Sequence, residues 1–394
     1  MTFNHKLPAD VRDAQRRPTG IVKDPRYAGH CTSPDKRECP ERLDAIYDML
    51  TEPAFDSRLT IIPPRRASAA ELAAVHADGY LRRIAATAGG GPVFLDIDTY
   101  TSAHSHEAAL LASGGLCRAI KAVYDKKVAN AFALVRPPGH HAEPKASGGY
   151  CIYNNVAIGA RYAQRTLKLS RVLIVDWDLH HGNGTQDCFA NDPSVLFFST
   201  HQRFIYPHTG RLREVGKGRG RGYTINVPLL PGFGDGDFLH LFEALLRPVA
   251  LAFAPDLILV SAGFDIHAGD PLGGMCVTPQ GFAALTRLLM KISEECCQGR
   301  LVMSLEGGYD LAALAQSVRA VLRELNGLEH TDRVPILATA ERQKCAAVIW
   351  RVRRRHGRHW PCLLSAPGDQ SDRPPSWAKR CRSRLARARA YFGT

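Results

Sequence analysis

Short apolar runs alternate with helical patterns between residues 130 and 325. Six runs rich in Val, Ile and Leu predict buried strands at 131–135, 171–175, 195–199, 223–227, 256–261 and 300–305. Apolar residues at helical spacing occupy several of the intervening segments, namely 155–168, 238–253, 279–296 and 311–325. Strands that alternate with helices indicate crossover connections, so this pattern predicts an α/β fold with a mainly parallel sheet and helices on both faces.

The two ends of the chain show a different pattern. The first 130 residues contain more loops, with apolar residues at helical spacing in the segments 41–50, 70–86 and 104–123. No internal repeat and no break in composition appear before about residue 330. Beyond Pro361 the chain is rich in Pro, Ser and Arg and loses its hydrophobic periodicity, which predicts a basic, mobile tail over residues 364–394.

Positive charge is concentrated near the C-terminus. The formal net charge is +13, but residues 341–394 carry 14 Lys and Arg against 3 Asp and Glu, which leaves 37 against 35 in residues 1–340. The body of the protein is therefore nearly neutral, and a nucleic-acid partner is expected only through the basic tail. A solvated tail without such a partner is the favoured interpretation.

The sequence lacks the features that direct proteins to membranes or to oxidising compartments. No segment approaches the roughly 20 apolar residues that span a bilayer, and residues 1–17 contain no apolar run of signal-peptide length. The 11 cysteines are scattered without a CxxC motif, which favours reduced thiols over disulfides or a cysteine-based metal cluster. These features predict a cytoplasmic protein without membrane association.

Histidines, carboxylates and one tyrosine follow four of the predicted strands. They are His140 and His141 after 131–135, Asp176, Asp178, His180 and Asn183 after 171–175, Asp265 after 256–261, and Tyr309 after 300–305. Parallel sheets bind ligands outside the carboxyl ends of their strands, so these residues are expected to meet at one rim of the sheet.

Three of these residues form a candidate metal site. Asp178 and His180 are separated by one residue, which places both side chains on one face of an extended segment, about 6–7 Å apart. Asp265, at the exit of another strand, can supply a third ligand. Three such ligands and one open position are typical of catalytic zinc, although the mixed oxygen and nitrogen set also admits iron or cobalt.

The remaining residues suit proton transfer and charge stabilisation. His140 and His141 would crowd the metal as ligands, so we interpret them as proton-transfer groups, with Asp176 and Asn183 as candidates to orient them. Tyr309 lies in a Gly-Gly-Tyr turn, from which its phenol can donate to the oxygen of a polarised carbonyl.

The motifs RPPGHHA, VDWDLHHGNGTQ, SAGFDIHAGDPLGG and SLEGGYD occur in this order, preceded by CPERLDAI and ELAAVHADGY. Together they resemble the signatures of class II histone deacetylases and bacterial histone deacetylase-like amidohydrolases, over residues 25 to 363. The resemblance implies an arginase–deacetylase fold with about eight strands and an active site at their C-terminal ends. It implies a zinc-dependent deacetylase domain over residues 1–363, which hydrolyses acetyl-lysine or related acylamines.

The resemblance also implies roles for individual residues. One zinc ion per chain would be bound by Asp178, His180 and Asp265. His141 resembles the general base and His140 its electrostatic partner. Asp176 would stand behind His140. Asn183 would stand behind His141, where class II members have Asn and class I members have Asp. Tyr309, where a nearly inactive subgroup has His, would stabilise the oxyanion.

Further residues match the family's substrate tunnel and a second ion site. The tunnel residues are Gly149, Tyr150 and Tyr206, with Leu272 as the gatekeeper where polyamine deacetylases carry Glu. The acid that binds the substrate backbone at the rim is Asp96 or Asp98. A structural monovalent cation, usually potassium, would be bound by Asp176, Asp178, His180, Ser199 and Thr200. Cys39 is a departure at a position where His is common.

Three alternatives to a lysine deacetylase stay open. A binuclear manganese enzyme of the arginase type would need a DxHxD run, but Asp178-Leu-His180 is followed by His181-Gly. An acetylpolyamine amidohydrolase is the closer rival, which Leu272 disfavours. The third alternative is a binding protein whose basic tail recruits nucleic acid. Expected partners are an acetylated lysine peptide or protein, or a small acylated amine, and self-association into a homo-oligomer is also open.

Overall fold

A computed structural model describes residues 17–31 and 37–364 of the chain. Its centre is an eight-stranded sheet in which every pair of neighbouring strands is parallel. In chain order the strands are β1 (Thr19–Val22), β2 (Leu59–Ile61), a separate two-stranded sheet of β3 (Val93–Phe94) and β4 (Tyr100–Thr101), then β5 (Asn130–Ala133), β6 (Val172–Asp176), β7 (Val195–Gln202), β8 (Thr224–Leu229), β9 (Leu257–Ala262) and β10 (Leu301–Leu305). The predicted α/β fold with about eight strands is confirmed.

Twelve α-helices of the described residues surround this sheet. They are α1 (Glu41–Met49), α2 (Ala69–Leu72), α3 (Asp78–Ala85), α4 (Ser105–Tyr124), α5 (Asn155–Arg165), α6 (Asn183–Phe189), α7 (Asp235–Leu241), α8 (Arg247–Phe253), α9 (Pro279–Cys297), α10 (Leu311–Leu325), α11 (Arg333–Ala338) and α12 (Arg342–His356). None of them is long and apolar enough to cross a membrane.

The order of the strands positions the functional residues. The large sheet runs β2-β1-β5-β10-β9-β6-β7-β8. The four strands whose exits carry the candidate residues, β5, β10, β9 and β6, are therefore consecutive neighbours. Because parallel strands end at the same edge, their exit loops converge on one rim.

The strands are held in a continuous apolar core. All five residues of β6 are buried, and so are all those of β9 and β10. Trp177, which follows β6, is also fully buried and packs against Phe282 of α9 with ring centroids 6.3 Å apart. Since side chains alternate along an extended segment, this anchor turns Asp176 and Asp178 toward the opposite side.

Two predicted helices are interrupted. The segment 70–86 forms α2 and α3, because Ala77 is extended and its N–H donates to the carbonyl of Pro144 instead of continuing a helix. The segment 238–253 contains a π-helical turn, Phe242–Leu246, immediately before the Arg247-Pro248 start of α8. Proline has no N–H to donate to the preceding turn, which accounts for a disturbance at this point. The predicted basic tail, except for Leu364, lies outside the described residues.

Candidate functional site

The three predicted metal ligands lie together at the exits of β6 and β9. Nδ1 of His180 is 3.2 Å from Oδ1 of Asp178 and 3.0 Å from Oδ2 of Asp265. One ligand atom from each residue fits within 4.8 Å of the others. Both carboxylates are buried. Burial and the neighbouring Asp178 raise the pKa of Asp265 to about 7, which is the electrostatic situation that a bound cation relieves.

Backbone amides orient the two carboxylates. The N–H of Gly307 donates to Oδ2 of Asp178 over 2.9 Å, and the N–H of Leu179 donates to Oδ1 of Asp265 over 2.8 Å. A Cβ atom on Gly307 would lie 2.5 Å from Oδ2 of Asp265, so the close approach requires glycine. One oxygen of each carboxylate is thus held in place while the other is directed at His180. This oxygen and nitrogen donor set fits zinc with a position open for substrate.

His140 hydrogen-bonds to a carboxylate. Its Nδ1 lies 3.1 Å from Oδ2 of Asp176, whose Oδ1 accepts from the N–H of Asp178 over 3.1 Å. Burial by itself would lower the pKa of His140, but the carboxylates of Asp178 and Asp176 outweigh it and raise that pKa to about 10. The two carboxylates thus favour the protonated form of this ring.

His141 hydrogen-bonds to an amide. Its Nδ1 is 2.7 Å from Oδ1 of Asn183, whose Nδ2 donates to Oε1 of Glu143 over 2.8 Å. Because the amide oxygen only accepts, Nδ1 of His141 carries the proton and Nε2 is left as an acceptor. Burial and the charges of His140 and His180 lower the pKa of His141 well below its usual range. This ring is neutral and can take up a proton.

Asp270 and Arg42, to which the sequence alone assigns no role, hold the turn that carries Tyr309. Oδ2 of Asp270 accepts from the N–H of Tyr309 over 2.7 Å, and its Oδ1 accepts from the N–H of Leu272 over 2.9 Å. From the other side the buried Arg42 donates to the carbonyls of Gly308 and Glu306, over 2.7 and 2.6 Å. Arg42 belongs to the CPERLDAI motif and Asp270 to the SAGFDIHAGDPLGG motif, but only the tertiary contacts show what these residues do. Burial and Asp265 raise the pKa of Tyr309 well above its ordinary value, which keeps the phenol protonated.

Glu306 is a third such residue. It is fully buried, and its Oε2 accepts from the N–H groups of Gly139 and His140 over 2.7 and 3.1 Å. Its Oε1 accepts from the hydroxyl of Ser261 over 3.0 Å. Glu306 thus joins the exits of β10, β5 and β9. Its sequence signals were its place directly after a strand and within the SLEGGYD motif.

Glu306 also belongs to a second buried group of possible ligands, with His140 and Cys151. The oxygens of Glu306 are engaged by the hydrogen bonds just described, and burial raises the pKa of Cys151 well above its usual range, which keeps the thiol protonated. His181 is likewise not arranged as a ligand of a second metal ion, because both of its ring nitrogens have hydrogen-bond partners. Its Nδ1 lies 2.7 Å from Oγ1 of Thr209 and its Nε2 lies 3.2 Å from Oε1 of Gln186.

Two tyrosine rings border the access to the histidines. The Tyr206 ring meets that of His141 edge-on with centroids 4.9 Å apart, and the Tyr150 ring lies 6.0 Å from that of Tyr309. Gly149 adopts φ +53°, and a Cβ atom there would lie 2.2 Å from Cδ2 of His141. Leu272 is half-buried beside the core.

Both candidate rim acids are near this segment. Asp98 is half-buried, and its Oδ1 accepts from the N–H of Gly149 over 3.1 Å. Asp96 is exposed and accepts from the N–H of Ile97 over 2.5 Å. The structure therefore connects Asp98 to Gly149, one of the predicted tunnel residues, by a hydrogen bond.

The residues suggested for a monovalent cation are brought together in part. Ser199 of β7 is the register partner of Asp176 in β6, and its Oγ is 2.9 Å from Nδ1 of His201. Oγ1 of the buried Thr200 has no hydrogen-bond partner within the described part of the chain.

Comparison with known proteins agrees with this geometry. The family model for the histone deacetylase domain matches residues 36–325. A probable deacetylase of Archaeoglobus fulgidus is 39% identical over 358 residues, which cover 88% of this chain and 99% of that protein. The polyamine deacetylase HDAC10 of Danio rerio is 41% identical over 315 residues, which cover 77% of this chain but only 46% of that protein.

A solved structure shows the same similarity. The crystal structure of the HDA15 HD domain superimposes with a TM-score of 0.80 at 36% identity, covering 88% of this chain and 96% of that one. The fold, the converging strand exits and the extent of the sequence match lead to one assignment. The chain belongs to the histone deacetylase family.

Proposed function

We propose that this protein is a zinc-dependent deacetylase that hydrolyses acetyl-lysine or related N-acyl amines to acetate and the free amine. The observation that carries the proposal is the convergence of Asp178, His180 and Asp265 within 4.8 Å, beside His140, which hydrogen-bonds to a carboxylate, and His141, which hydrogen-bonds to an amide. One zinc ion per chain, held by these three residues, would supply a Lewis acid that polarises the acyl carbonyl and acidifies water. The remaining chemistry belongs to side chains of the protein.

His141 is the proton-transfer residue in this proposal. Its Nε2 accepts a proton from the attacking water, while Asn183 holds Nδ1 and so fixes the ring. The same nitrogen then delivers the proton to the leaving amine. His140, which Asp176 keeps charged, stabilises the negative charge that develops on the substrate. The protonated phenol of Tyr309 donates a hydrogen bond to the oxyanion.

The tunnel would select an acylated alkylamine. The rings of Tyr150 and Tyr206, with Gly149 between the walls, suit the methylene chain of lysine, and Leu272 adds no charge for a second ammonium group. We assign the rim acid to Asp98, because it is hydrogen-bonded to Gly149. An acetylpolyamine remains the second candidate substrate, since the relative HDAC10 of Danio rerio is named a polyamine deacetylase.

A substrate comparison tests this assignment. Holoenzyme of known metal content is assayed with an acetyl-lysine peptide, acetylputrescine and longer acyl-lysine peptides, each with and without a chelator. We expect chelator-sensitive release of acetate, with the acetyl-lysine peptide preferred. In Leu272→Glu the preference should move toward acetylputrescine, because the carboxylate attracts its free ammonium group. Hydrolysis that withstands complete metal removal would refute the zinc mechanism.

We further propose a structural potassium ion bound by Asp176, Asp178, His180, Ser199 and Thr200, which is supported by the pairing of Asp176 with Ser199 and by the unpartnered hydroxyl of Thr200. The division into a deacetylase domain, residues 1–363, and a basic tail, residues 364–394, stays a prediction. So do the cytoplasmic location, self-association into a homo-oligomer and nucleic-acid binding by the tail.

A further inference from the structure

A cavity lies beside the loop that carries Tyr206, and it does not include the candidate metal ligands. It has a volume of about 520 Å³ and is lined by the segment after β7, by Pro228 of β8, and by Val348 and Val352 of α12. Phe204 and His208 line this cavity, whereas Tyr206, between them in the chain, contacts the rings of His141 and His180. The loop thus separates two different sites.

The wall of this cavity is strongly basic. Four arginines line it, Arg203, Arg211, Arg213 and Arg351, and its lining contains no Asp or Glu. Within residues 17–31 and 37–364, neither Arg203 nor Arg211 nor Arg213 forms an ion pair with a carboxylate. The guanidinium of Arg203 instead lies 4.5 Å from the ring centroid of Phe204.

The nearest acid in the sequence, Glu214, has other partners. Its Oε2 accepts from the N–H of Gly210 and from Nε2 of Gln186, each over 3.0 Å. Helix α12 contributes Arg351 to the lining. Arg355, one turn later, donates to the carbonyl of Arg213 over 2.9 Å, which joins the loop to the helix.

Apart from His208 and Thr209, the side chains in the rest of the lining are apolar. Leu212, Pro228, Val348 and Val352 contribute hydrocarbon surface, and Phe204 is largely exposed beside the cavity. The volume falls within the range of about 300–1,000 Å³ that small-molecule sites occupy. Such a lining fits a ligand that has both an anionic group and an apolar ring or chain.

We propose that this cavity binds an organic phosphate with an apolar body. Phosphate is favoured over a single carboxylate because its two negative charges and three terminal oxygens can engage several guanidinium groups at once. The chain's own tail fits poorly, since residues 365–394 carry seven Lys and Arg against two Asp. A soluble nucleotide-like molecule and a phosphorylated lipid headgroup share this chemistry.

Binding to the full-length holoenzyme tests the proposal independently of deacetylase activity. Fluorescent N-methylanthraniloyl-ATP is titrated against the wild type, with inorganic pyrophosphate as competitor, and vesicles with and without a phosphoinositide form a second arm. Arg211→Gln/Arg213→Gln removes two cations of the cavity. The matched control is Lys217→Gln/Arg219→Gln, which removes two exposed cations close by in the chain that do not line it.

We expect saturable binding that the Arg211→Gln/Arg213→Gln variant weakens by roughly ten- to a hundredfold and the control leaves nearly unchanged. Val348→Trp, which keeps every arginine, should weaken the nucleotide more than pyrophosphate because it fills the apolar part. Binding to phosphoinositide vesicles alone, with the same dependence on Arg211 and Arg213, would assign the site to a lipid headgroup. Absence of saturable binding in both arms, or an equal effect of both double variants, would overturn the proposal.

Discussion

Two adjacent imidazoles are made different by the atom that each one faces. His140 hydrogen-bonds to the carboxylate of Asp176, whereas His141 hydrogen-bonds to the amide of Asn183. A carboxylate stabilises a charged ring, and an amide oxygen only selects a tautomer. The sequence could predict both partners, because Asp176 is a polar residue at the end of β6 and Asn183 is a polar residue shortly after it. The protonation states follow only from burial and from the distances to Asp178 and His180.

The proposed role of the Tyr309 hydroxyl can be tested by one substitution. Tyr309→Phe keeps the ring beside Tyr150 but removes the donor to the oxyanion, so kcat should fall by roughly 100-fold. The KM for an acetyl-lysine peptide and the zinc content should change little. Tyr206→Phe is the matched control, because that side chain contributes its ring to the tunnel, and its kcat should stay within about threefold of the wild type. Unchanged turnover in Tyr309→Phe would remove this phenol from the mechanism.

Glu306 is expected to position the two histidines by holding the backbone before them. Glu306→Ala leaves the buried N–H groups of Gly139 and His140 without an acceptor, which should cost about 2–5 kcal/mol in the free energy of unfolding. Glu306→Gln keeps an acceptor of the same shape and should lose much less. Chemical denaturation of both variants measures the difference. If Glu306 positions the histidines, kcat in Glu306→Ala should fall by a larger factor than KM changes. In Glu306→Gln, kcat should recover toward the wild-type value.

At the scale of elements, hydrophobic periodicity predicted the long helices and the buried strands. The helix predicted at 311–325 is observed with the same bounds, and β6 differs from its prediction by one residue at each end. The strands β1 and β2 were missed, because segments of four and three residues contain too little pattern to recognise. The break between α2 and α3 was missed because hydrogen bonds to residues 143–154, distant in sequence, produce it.

His76 lies at the break between α2 and α3, and we expect it to make the stability of the fold depend on pH. Its Nδ1 donates to the carbonyl of Glu143 and its Nε2 accepts from the N–H of Asn154, each over 3.0 Å. Burial lowers the pKa of His76 to about 4, whereas the unfolded chain keeps an ordinary value near 6.5. The neutral ring therefore favours the folded state above about pH 6.5, and that contribution is lost as the pH falls toward 4.

Substituting the ring should flatten this dependence. His76→Gln retains a donor and an acceptor but does not titrate, so between pH 7 and pH 4 it should lose about 3 kcal/mol less stability than the wild type. Urea denaturation across this range measures both proteins. His359→Gln is the control, since His359 is partly exposed and its lowered pKa should matter less. Parallel curves for the wild type and His76→Gln would show that His76 does not titrate on unfolding.

The arrangement of the whole molecule explains why residues from 140 to 309 share one site. The sheet order places β10 between β5 and β9, so Glu306 reaches Gly139 on one side and Ser261 on the other. The sequence predicted that polar residues follow these strands, and the parallel pattern predicted a common rim. It did not specify the order of the strands, which depends on the packing of the complete sheet. The contacts of Arg42, Asp270 and Glu306 follow from that order.

Zinc should stabilise the entire domain, because its proposed ligands come from the exits of two strands, β6 and β9. Without a cation, the buried carboxylates of Asp178 and Asp265 repel each other across a single imidazole. A ligand that binds only the folded state adds about 4 kcal/mol to the free energy of unfolding at a concentration roughly 1,000 times its Kd. We expect chelator-treated protein to lose a stabilisation of this size and to regain it when zinc is added.

The location of that effect can be tested with single substitutions. Asp178→Asn and Asp265→Asn should abolish the response of unfolding to zinc, since each removes a ligand. Asp235→Asn is the control, because that carboxylate accepts from Thr278 away from the site and the zinc response should persist. Elemental analysis should find one zinc ion per wild-type chain and almost none in the two ligand variants. Two divalent ions per chain would instead indicate a binuclear centre, and a zinc response that survives in Asp265→Asn would place the ion elsewhere.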